Sequence, residues 1–256
     1  MNDKLPIILL DGETAGTIQS SQMDVVEMAF DVAGEFLPLH IGVRNGFSKL
    51  ADIAPMARTL SSKITDAGLR HFERNGKTIP CRKGCGICCH YIVVLTVPDV
   101  FRLVEEVKQM PAQRRNGVMK SFDKINEWFE QQHVDNSQTT GISDWYSRLR
   151  HPCPFLYDNQ CTIYENRPTV CREWLVTGTD RQCRKNNKVR RVSPSVHIGD
   201  VLKQLVSRLE DKSAEDVIFP TVFKWYSNNI EQSKRTWPAK LLVEQFVKIL
   251  NNQMSD

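Results

Sequence analysis

The sequence predicts a mainly α-helical protein: a single helix-rich domain around a cysteine metal-binding core, with minor short strands. Three observations lead to this fold class. Apolar residues recur at helical spacing in most long segments, β-branched runs are short and few, and eight cysteines lie between residues 81 and 183. With 256 residues, 41% of them hydrophobic, the chain can bury a core without disulfides. The cysteines therefore need a chemical explanation.

We assign residues 1–75 to an N-terminal hairpin and helical region. Residues 6–19 contain the turn dipeptide Asp11-Gly12 between two short apolar stretches, which predicts a weak hairpin. Apolar residues from 25 to 30, and again from 47 to 72, predict two helices that lead into the first cysteines. We expect the second helix to stop at Pro80, because a proline disfavours helix at the residue before it.

Residues 76–190 are predicted to form the metal-binding domain, with an insertion near residues 107–145. The β-branched residues 91–97 predict a strand. Thr96 and Pro98 suit the start of a helix that ends near Pro111.

The rest of the chain is predicted from apolar periodicity. A second helix carries an apolar face within residues 122–129, and the polar residues 131–141 predict a loop. Three more periodic stretches follow the last cysteine, at residues 201–209, 217–226 and 241–250. We expect them to form a C-terminal helical region, residues 191–256, that packs on the metal-binding domain.

Targeting signals and charge limit the compartment and the partners. Asp11 interrupts the first apolar stretch, no basic region with a cleavage site follows, and no window approaches about 18 uninterrupted apolar residues. We therefore expect a cytoplasmic protein without a membrane partner.

Residues 181–191 hold six basic residues and no acidic one, a run that could face an acidic partner or a phosphate backbone. No aromatic side chain interleaves it, so nucleic acid is not expected, and an unidentified protein partner stays open.

The cysteines fall into two segments. In the first, residues 81–89, thiols two to four positions apart alternate with Gly84 and Gly86, whose freedom at positive φ suits a metal knuckle. In the second, residues 153–183, the spacings are too wide for a knuckle, so we expect these thiols to meet the first group by tertiary folding. The predicted metal ligands are all eight thiols: Cys81, Cys85, Cys88, Cys89, Cys153, Cys161, Cys171 and Cys183.

A cation explains why so many thiolates gather, because their mutual repulsion and desolvation are costly. Soft sulfur ligands select zinc, cuprous copper or iron–sulfur clusters. Eight thiols allow two four-cysteine zinc sites, one four-iron cluster with spare thiols, or a site that includes histidine or an open position. Of the adjacent Cys88 and Cys89, one is expected to ligate the first metal and the other to serve a second site or to pack as a small hydrophobic residue. Three histidines near the thiols, His90, His151 and His197, are more plausible as structural residues.

The two segments resemble a known family. The residues that carry the resemblance are Cys81-x3-Cys85-x2-Cys88-Cys89 and Cys153-Pro-Phe-Leu-x4-Cys161-x-Ile-Tyr-Glu-x-Arg-Pro-x-x-Cys171-Arg. This pattern is similar to the YkgJ-type cysteine-cluster family of CxxCxxCC type, described as a zinc- or iron-chelating domain. The resemblance implies metal chelation by zinc or an iron–sulfur cluster, with a four-iron four-sulfur cluster favoured if the metal is iron.

The resemblance leaves the biochemical role open. The flagellin lysine methylases carry a similar cluster, so a metal- or cluster-dependent modification enzyme is one alternative, although this chain has no glycine-rich nucleotide loop. Binding of nucleic acid or an acidic partner through residues 181–191 is another. No catalytic residue is assigned. Within the matched string, Arg167 or Arg172 is predicted to donate hydrogen bonds to a thiolate, a carbonyl or an acidic side chain, with Tyr164 and Glu165 nearby.

Overall fold

The computed structural model describes residues 5–11, 23–131, 151–184 and 190–255. The part of the chain that it describes is mainly helical, as the sequence predicts. Parts of three predictions fall outside the described residues: the second arm of the hairpin at 12–19, the loop at 132–141 and the centre of the basic run at 185–189.

The N-terminal region contains more strand than predicted. Strands β1 (Ile7–Leu10), β2 (Met23–Val32) and β3 (Glu35–Arg44) form a three-stranded antiparallel sheet in the order β1-β3-β2. The helix predicted for residues 25–30 is therefore wrong, and so is the description of all strands as short. β1 pairs with β3, in a register that runs from Ile7 opposite Val43 to Leu10 opposite His40.

Side-chain alternation explains strand β2. Glu27 and Asp31 are exposed, whereas Phe30 and Val32 are buried, so the pattern has a period of two. Ala33 and Gly34 follow with φ of 55° and 82°, the left-handed conformation of a two-residue hairpin turn.

A short strand β4 (Phe47–Ser48) leads into the long helix α1 (Leu50–Arg74). Asp52 accepts a hydrogen bond from the backbone N–H of Lys49 at 2.8 Å, which caps the first turn. The helix ends at Arg74, since Gly76 has a φ of +68° and donates to the carbonyl of Glu73. Pro80 is therefore not what stops it, and the predicted end was too late.

The next elements follow the prediction closely. Strand β5 is shorter than expected (Val94–Leu95), and helix α2 (Val97–Lys108) begins after Thr96, whose hydroxyl accepts from the N–H of Asp99. Helix α3 (Ala112–Gln131) buries the predicted apolar face.

The second cysteine segment is built from small elements. They are strands β6 (Leu156–Tyr157) and β7 (Gln160–Cys161), helix α4 (Thr169–Glu173), strand β8 (Leu175–Thr177), helix α5 (Asp180–Arg184) and strand β9 (Arg190–Val192). β6 pairs with β7, and β8 pairs with β9, both antiparallel.

The C-terminal region is helical, with one departure from the prediction. Its elements are helix α6 (Ile198–Glu210), strand β10 (Val217–Ile218), helices α7 (Val222–Asn228) and α8 (Ile230–Lys234), strand β11 (Trp237–Pro238) and helix α9 (Ala239–Ser255). Residues 217 and 218, predicted as helix, instead pair with β5.

One large apolar core joins these regions. Helix α1 contacts α2, α4 and α6, and α9 packs on α6. Leu60, Leu103, Leu202 and Phe246 are buried in this core and come from four different helices. Among the described helices, none has the length and apolar character needed to cross a membrane.

Candidate metal centre

The first cysteine segment folds as two consecutive turns. The N–H of Cys85 donates to the carbonyl of Arg82 at 3.1 Å, and Gly84 between them has a φ of +89°. A 3₁₀ turn, Ile87–His90, then carries Cys88 and Cys89. The positive φ predicted for Gly84 is confirmed, whereas Gly86 has a φ of −103°. Gly86 is needed for a different reason: a Cβ there would lie 2.6 Å from the backbone oxygen of Asn159.

That contact brings the second segment against the first. Asn159 lies in the turn of the β6–β7 hairpin, where its φ is 57°. The hairpin places Cys153 just before its first strand and Cys161 at the end of its second. The N–H of Cys153 donates to the carbonyl of Cys89 at 2.7 Å, so the two segments are joined by their backbones.

Helix α4, which carries Cys171, is held at both ends by buried carboxylates. Asp99 accepts from the N–H of Thr169 at 3.0 Å and forms a buried ion pair with Arg58, with Nε and Oδ1 2.8 Å apart. At the other end, Glu173 accepts from Ser61 Oγ at 3.1 Å and from the N–H of Ile198 at 2.8 Å. Both acids connect α4 to the helical core, which fixes the position of Cys171.

The predicted acceptors for Arg172 were a thiolate, a carbonyl or an acidic side chain. The structure shows hydrogen bonds from Arg172 to carbonyls. Its guanidinium donates to the carbonyl of Arg167 at 3.0 Å, to the carbonyl of Glu165 and to Ser62 Oγ at 2.5 Å. Arg167 instead lies 4.0 Å from the centre of the Tyr164 ring. The Glu165 carboxylate is exposed and pairs with Lys83 at 2.6 Å.

All eight thiols line one or both of two cavities. The larger cavity, of about 320 Å³, is lined by Cys81, Cys85, Cys88, Cys171 and Cys183. The smaller, of about 60 Å³, is lined by Cys85, Cys88, Cys89, Cys153, Cys161 and Cys171. None of the eight forms a disulfide. Thiols distant in sequence thus meet in space.

The thiols surround these cavities without converging on one point. Within the residues that the structure describes, no group of three or more Cys, His, Asp or Glu side chains is placed to hold a metal ion as it stands. Ligation by all eight thiols therefore stays a prediction.

Comparison with known families supports metal binding. Residues 80–191 match the CxxCxxCC family model, described as a "putative zinc- or iron-chelating domain". Residues 80–191 are a CxxCxxCC domain. No curated protein and no solved structure matches the chain. All eight cysteines lie inside this domain, whereas helix α1 precedes it.

Burial controls the protonation of most thiols in the CxxCxxCC domain. Loss of solvation raises the pKa of Cys153 to about 12 and that of Cys171 well above its ordinary value. It also raises the pKa values of Cys81, Cys161 and Cys183. These thiols stay neutral near pH 7 unless a cation compensates the charge of their thiolates.

Cys88 is the exception at the centre of the cluster. A hydrogen bond from the Cys89 thiol, assisted by the positive charge of Arg167, lowers the pKa of Cys88 to about 7 against the opposing effect of burial. The same hydrogen bond raises the pKa of Cys89. The two adjacent thiols thus lie together, at the point where the cavities adjoin.

The donor set fits a soft metal. Thiolates bind zinc and iron well, whereas magnesium and calcium prefer oxygen ligands. A bound metal ion also deprotonates coordinating thiols outright, which offsets the burial effect on Cys153 and Cys171. Zinc or iron is therefore compatible with the residues present.

The histidines lie apart from both cavities. His197 Nδ1 is 3.5 Å from the Glu173 carboxylate, which raises the pKa of His197 through a hydrogen bond. The ring centre of His151 lies 5.6 Å from that of Trp128. Of the described residues that line the cavities, none is a histidine.

The aromatic and helical wall of the larger cavity was not predicted from the sequence. Trp174 stacks on Tyr91 with ring centres 6.4 Å apart, and the Arg191 guanidinium lies 4.0 Å from the Trp174 ring. Thr65 and Asp66 of α1 also line this cavity. Of these wall residues, only Trp174 has a signal in the sequence, because it closely follows the Cys171-Arg172 pair.

Proposed function

We propose that the protein binds zinc through two adjoining four-thiolate centres inside its CxxCxxCC domain. The observation that carries this proposal is the meeting of thiols from both cysteine segments around the two cavities, with Cys88 lining both. Metal binding in general is supported by the family, and the division into two centres and the choice of zinc are our proposal.

Electrostatic interactions between the thiols support the division. The charges that raise the pKa of Cys81 come from Cys88, Cys183 and Cys85. Those that raise the pKa of Cys89 come from Cys88, Cys153 and Cys161, and Cys171 interacts with Cys153, Cys88 and Cys161. These interactions separate Cys81, Cys85 and Cys183 from Cys89, Cys153, Cys161 and Cys171, whereas Cys88 interacts with thiols of both groups. We assign Cys88 to the first group, so that two sets of four result: the first consists of Cys81, Cys85, Cys88 and Cys183, and the second of Cys89, Cys153, Cys161 and Cys171.

Cavity size favours single ions in the second centre. Its cavity, of about 60 Å³, is much smaller than the adjoining cavity of about 320 Å³. A mononuclear zinc ion with four thiolates is the common closed structural site. In this position it would crosslink the first cysteine segment, the β6–β7 hairpin and helix α4.

The surrounding arginines suit such a centre. A zinc ion with four thiolates carries about two net negative charges. Arg167 and Arg172 act on Cys161 by favouring its thiolate. Their positive charges therefore reduce the cost of gathering anionic ligands in a partly buried site.

Metal stoichiometry of matched variants tests the proposal. Protein purified without oxygen should contain two zinc ions per chain and no acid-labile sulfide. Cys183→Ser should remove one zinc from the first set, and Cys153→Ser one zinc from the second. If the protein instead contains iron and acid-labile sulfide, the choice of zinc is wrong, and the two centres hold iron–sulfur clusters. Wild-type protein without bound metal, or variants that keep the full metal content, would contradict it.

A further inference from the structure

The larger cavity extends well beyond the thiols. Helix α1 contributes Thr65, Asp66 and Leu69, and strand β8 contributes Leu175 and Val176. Its volume of about 320 Å³ is at the lower end of ligand sites, which span about 300–1,000 Å³. A four-thiolate centre does not need this additional space.

Four arginines line the cavity: Arg82, Arg167, Arg172 and Arg191. None of these lining arginines forms an ion pair within the described part of the chain. The arginines that do form ion pairs there are Arg58, Arg70, Arg102 and Arg235. Two carboxylates, Asp66 and Asp180, also line it. The guanidinium groups of the wall thus outnumber its carboxylates by four to two, and the same wall carries the thiols of the first proposed centre.

The cavity also has an aromatic wall. Trp174 and Tyr91 are stacked at an interplanar angle of 20°, and Arg191 lies against Trp174. Such a surface favours a planar ring through offset stacking. Arginine is suited to the anionic end of a ligand, because its planar fork matches carboxylate and phosphate oxygens.

Two buried polar atoms among the lining residues have no hydrogen-bond partner in the described part of the chain. They are Oγ1 of Thr65, a residue that is only 6% exposed, and Nε of Arg167. Buried polar atoms of folded proteins are nearly always paired. Two polar atoms of the described residues that line this cavity are thus left unpaired.

We propose that this cavity binds a small organic anion that carries a planar ring. The anionic group pairs with the arginines, Arg191 in particular, and the ring lies against Trp174. This goes beyond the proposed function and does not depend on which metal the thiols hold.

Arg191 differs in position from the arginines that act on the thiols. Arg167 and Arg172 favour the thiolate of Cys161, as a role at the metal centre requires. Arg191 is an exposed residue on strand β9 whose guanidinium covers Trp174. Its position suits contact with a ligand at the aromatic wall.

Calorimetric titration of the full-length, metal-containing protein tests the proposal, with 2-naphthoate as the probe. We expect saturable binding at one site. Neutral 2-naphthamide and ring-free inorganic phosphate should each bind at least tenfold more weakly, because each lacks one of the two recognised features.

Matched variants locate the site. Arg191→Gln should weaken 2-naphthoate binding about tenfold, the effect of losing one charged hydrogen bond. Arg190→Gln, at the neighbouring exposed residue that does not line the cavity, should change it less than twofold. Asp66→Asn should strengthen binding severalfold by removing an opposing charge, a gain that misfolding cannot produce.

Three results would overturn the proposal: no saturable binding of 2-naphthoate, equal affinity for 2-naphthamide, or equal losses in the Arg190 and Arg191 variants. The zinc content of the same samples tests the two proposed metal centres independently of the ligand site. A failed titration with two zinc ions bound would therefore reject the ligand site alone.

Discussion

Gly86→Ala is a direct test of the packing that joins the two cysteine segments. An added Cβ would lie 2.6 Å from the backbone oxygen of Asn159 and 2.7 Å from Cδ1 of Leu156. Separations under 3.0 Å essentially never occur for a real Cβ. The φ of −103° is acceptable for alanine, so the clash alone determines the result. Because the oxygen belongs to the backbone, the β6–β7 hairpin must move.

The expected magnitude follows from the size of the clash. Overpacking of this kind costs about 1–3 kcal/mol. Displacement of the hairpin also separates Cys161 from Cys89, so the second centre should lose its metal. Gly117→Ala on α3 is the matched control, because its Cβ meets nothing within 4 Å and alanine favours a helix interior by about 1 kcal/mol over glycine.

Urea unfolding followed by circular dichroism, with metal content measured on the same samples, gives both quantities. We expect Gly86→Ala to lower both the free energy of unfolding and the zinc content. Gly117→Ala should raise the free energy of unfolding and leave the zinc content unchanged. Wild-type stability and full metal content in Gly86→Ala would refute the packing between the segments.

Three further predictions follow from buried charges and thiols. Asp99→Asn removes one of the two carboxylates that pair with the buried Arg58 guanidinium and leaves Glu106 at 3.0 Å, so it should lower the free energy of unfolding by about 2 kcal/mol, as expected for one hydrogen bond to a charged group; a loss under about 0.5 kcal/mol in urea unfolding would count against it. Because Glu173 raises the pKa of His197, their interaction stabilises the fold below the unfolded-state pKa of about 6.5 and is lost as pH rises through the higher folded-state pKa. NMR titration should place the His197 midpoint above 6.5, and a midpoint below that value would be inconsistent. In metal-free protein, alkylation of Cys88 should reach half its maximal rate near pH 7, whereas a midpoint near 8.5 would indicate an ordinary thiol.

Local signals in the sequence predicted the helices well. Thr96 as the N-cap of α2 and the apolar face of α3 depend on neighbours a few residues away, which a sequence pattern contains. Strand β2 was missed because its run of apolar residues also fits a helix. Only pairing with β3 after the Ala33-Gly34 turn decides between the two.

The site was predictable only in part for the same reason. The spacing of the cysteines identified all eight thiols as candidates, yet their grouping around two cavities depends on contacts between distant segments, such as Gly86 with Asn159. The Trp174 and Arg191 wall depends on the pairing of β8 with β9. No short motif contains that information.

X-ray absorption spectroscopy at the zinc edge tests thiolate ligation most directly. We predict a coordination shell of four sulfur atoms at about 2.3 Å in protein purified without oxygen. A shell that contains nitrogen or oxygen at about 2.0 Å, as histidine or carboxylate ligands would produce, would contradict the assignment of the eight thiols to two four-thiolate centres.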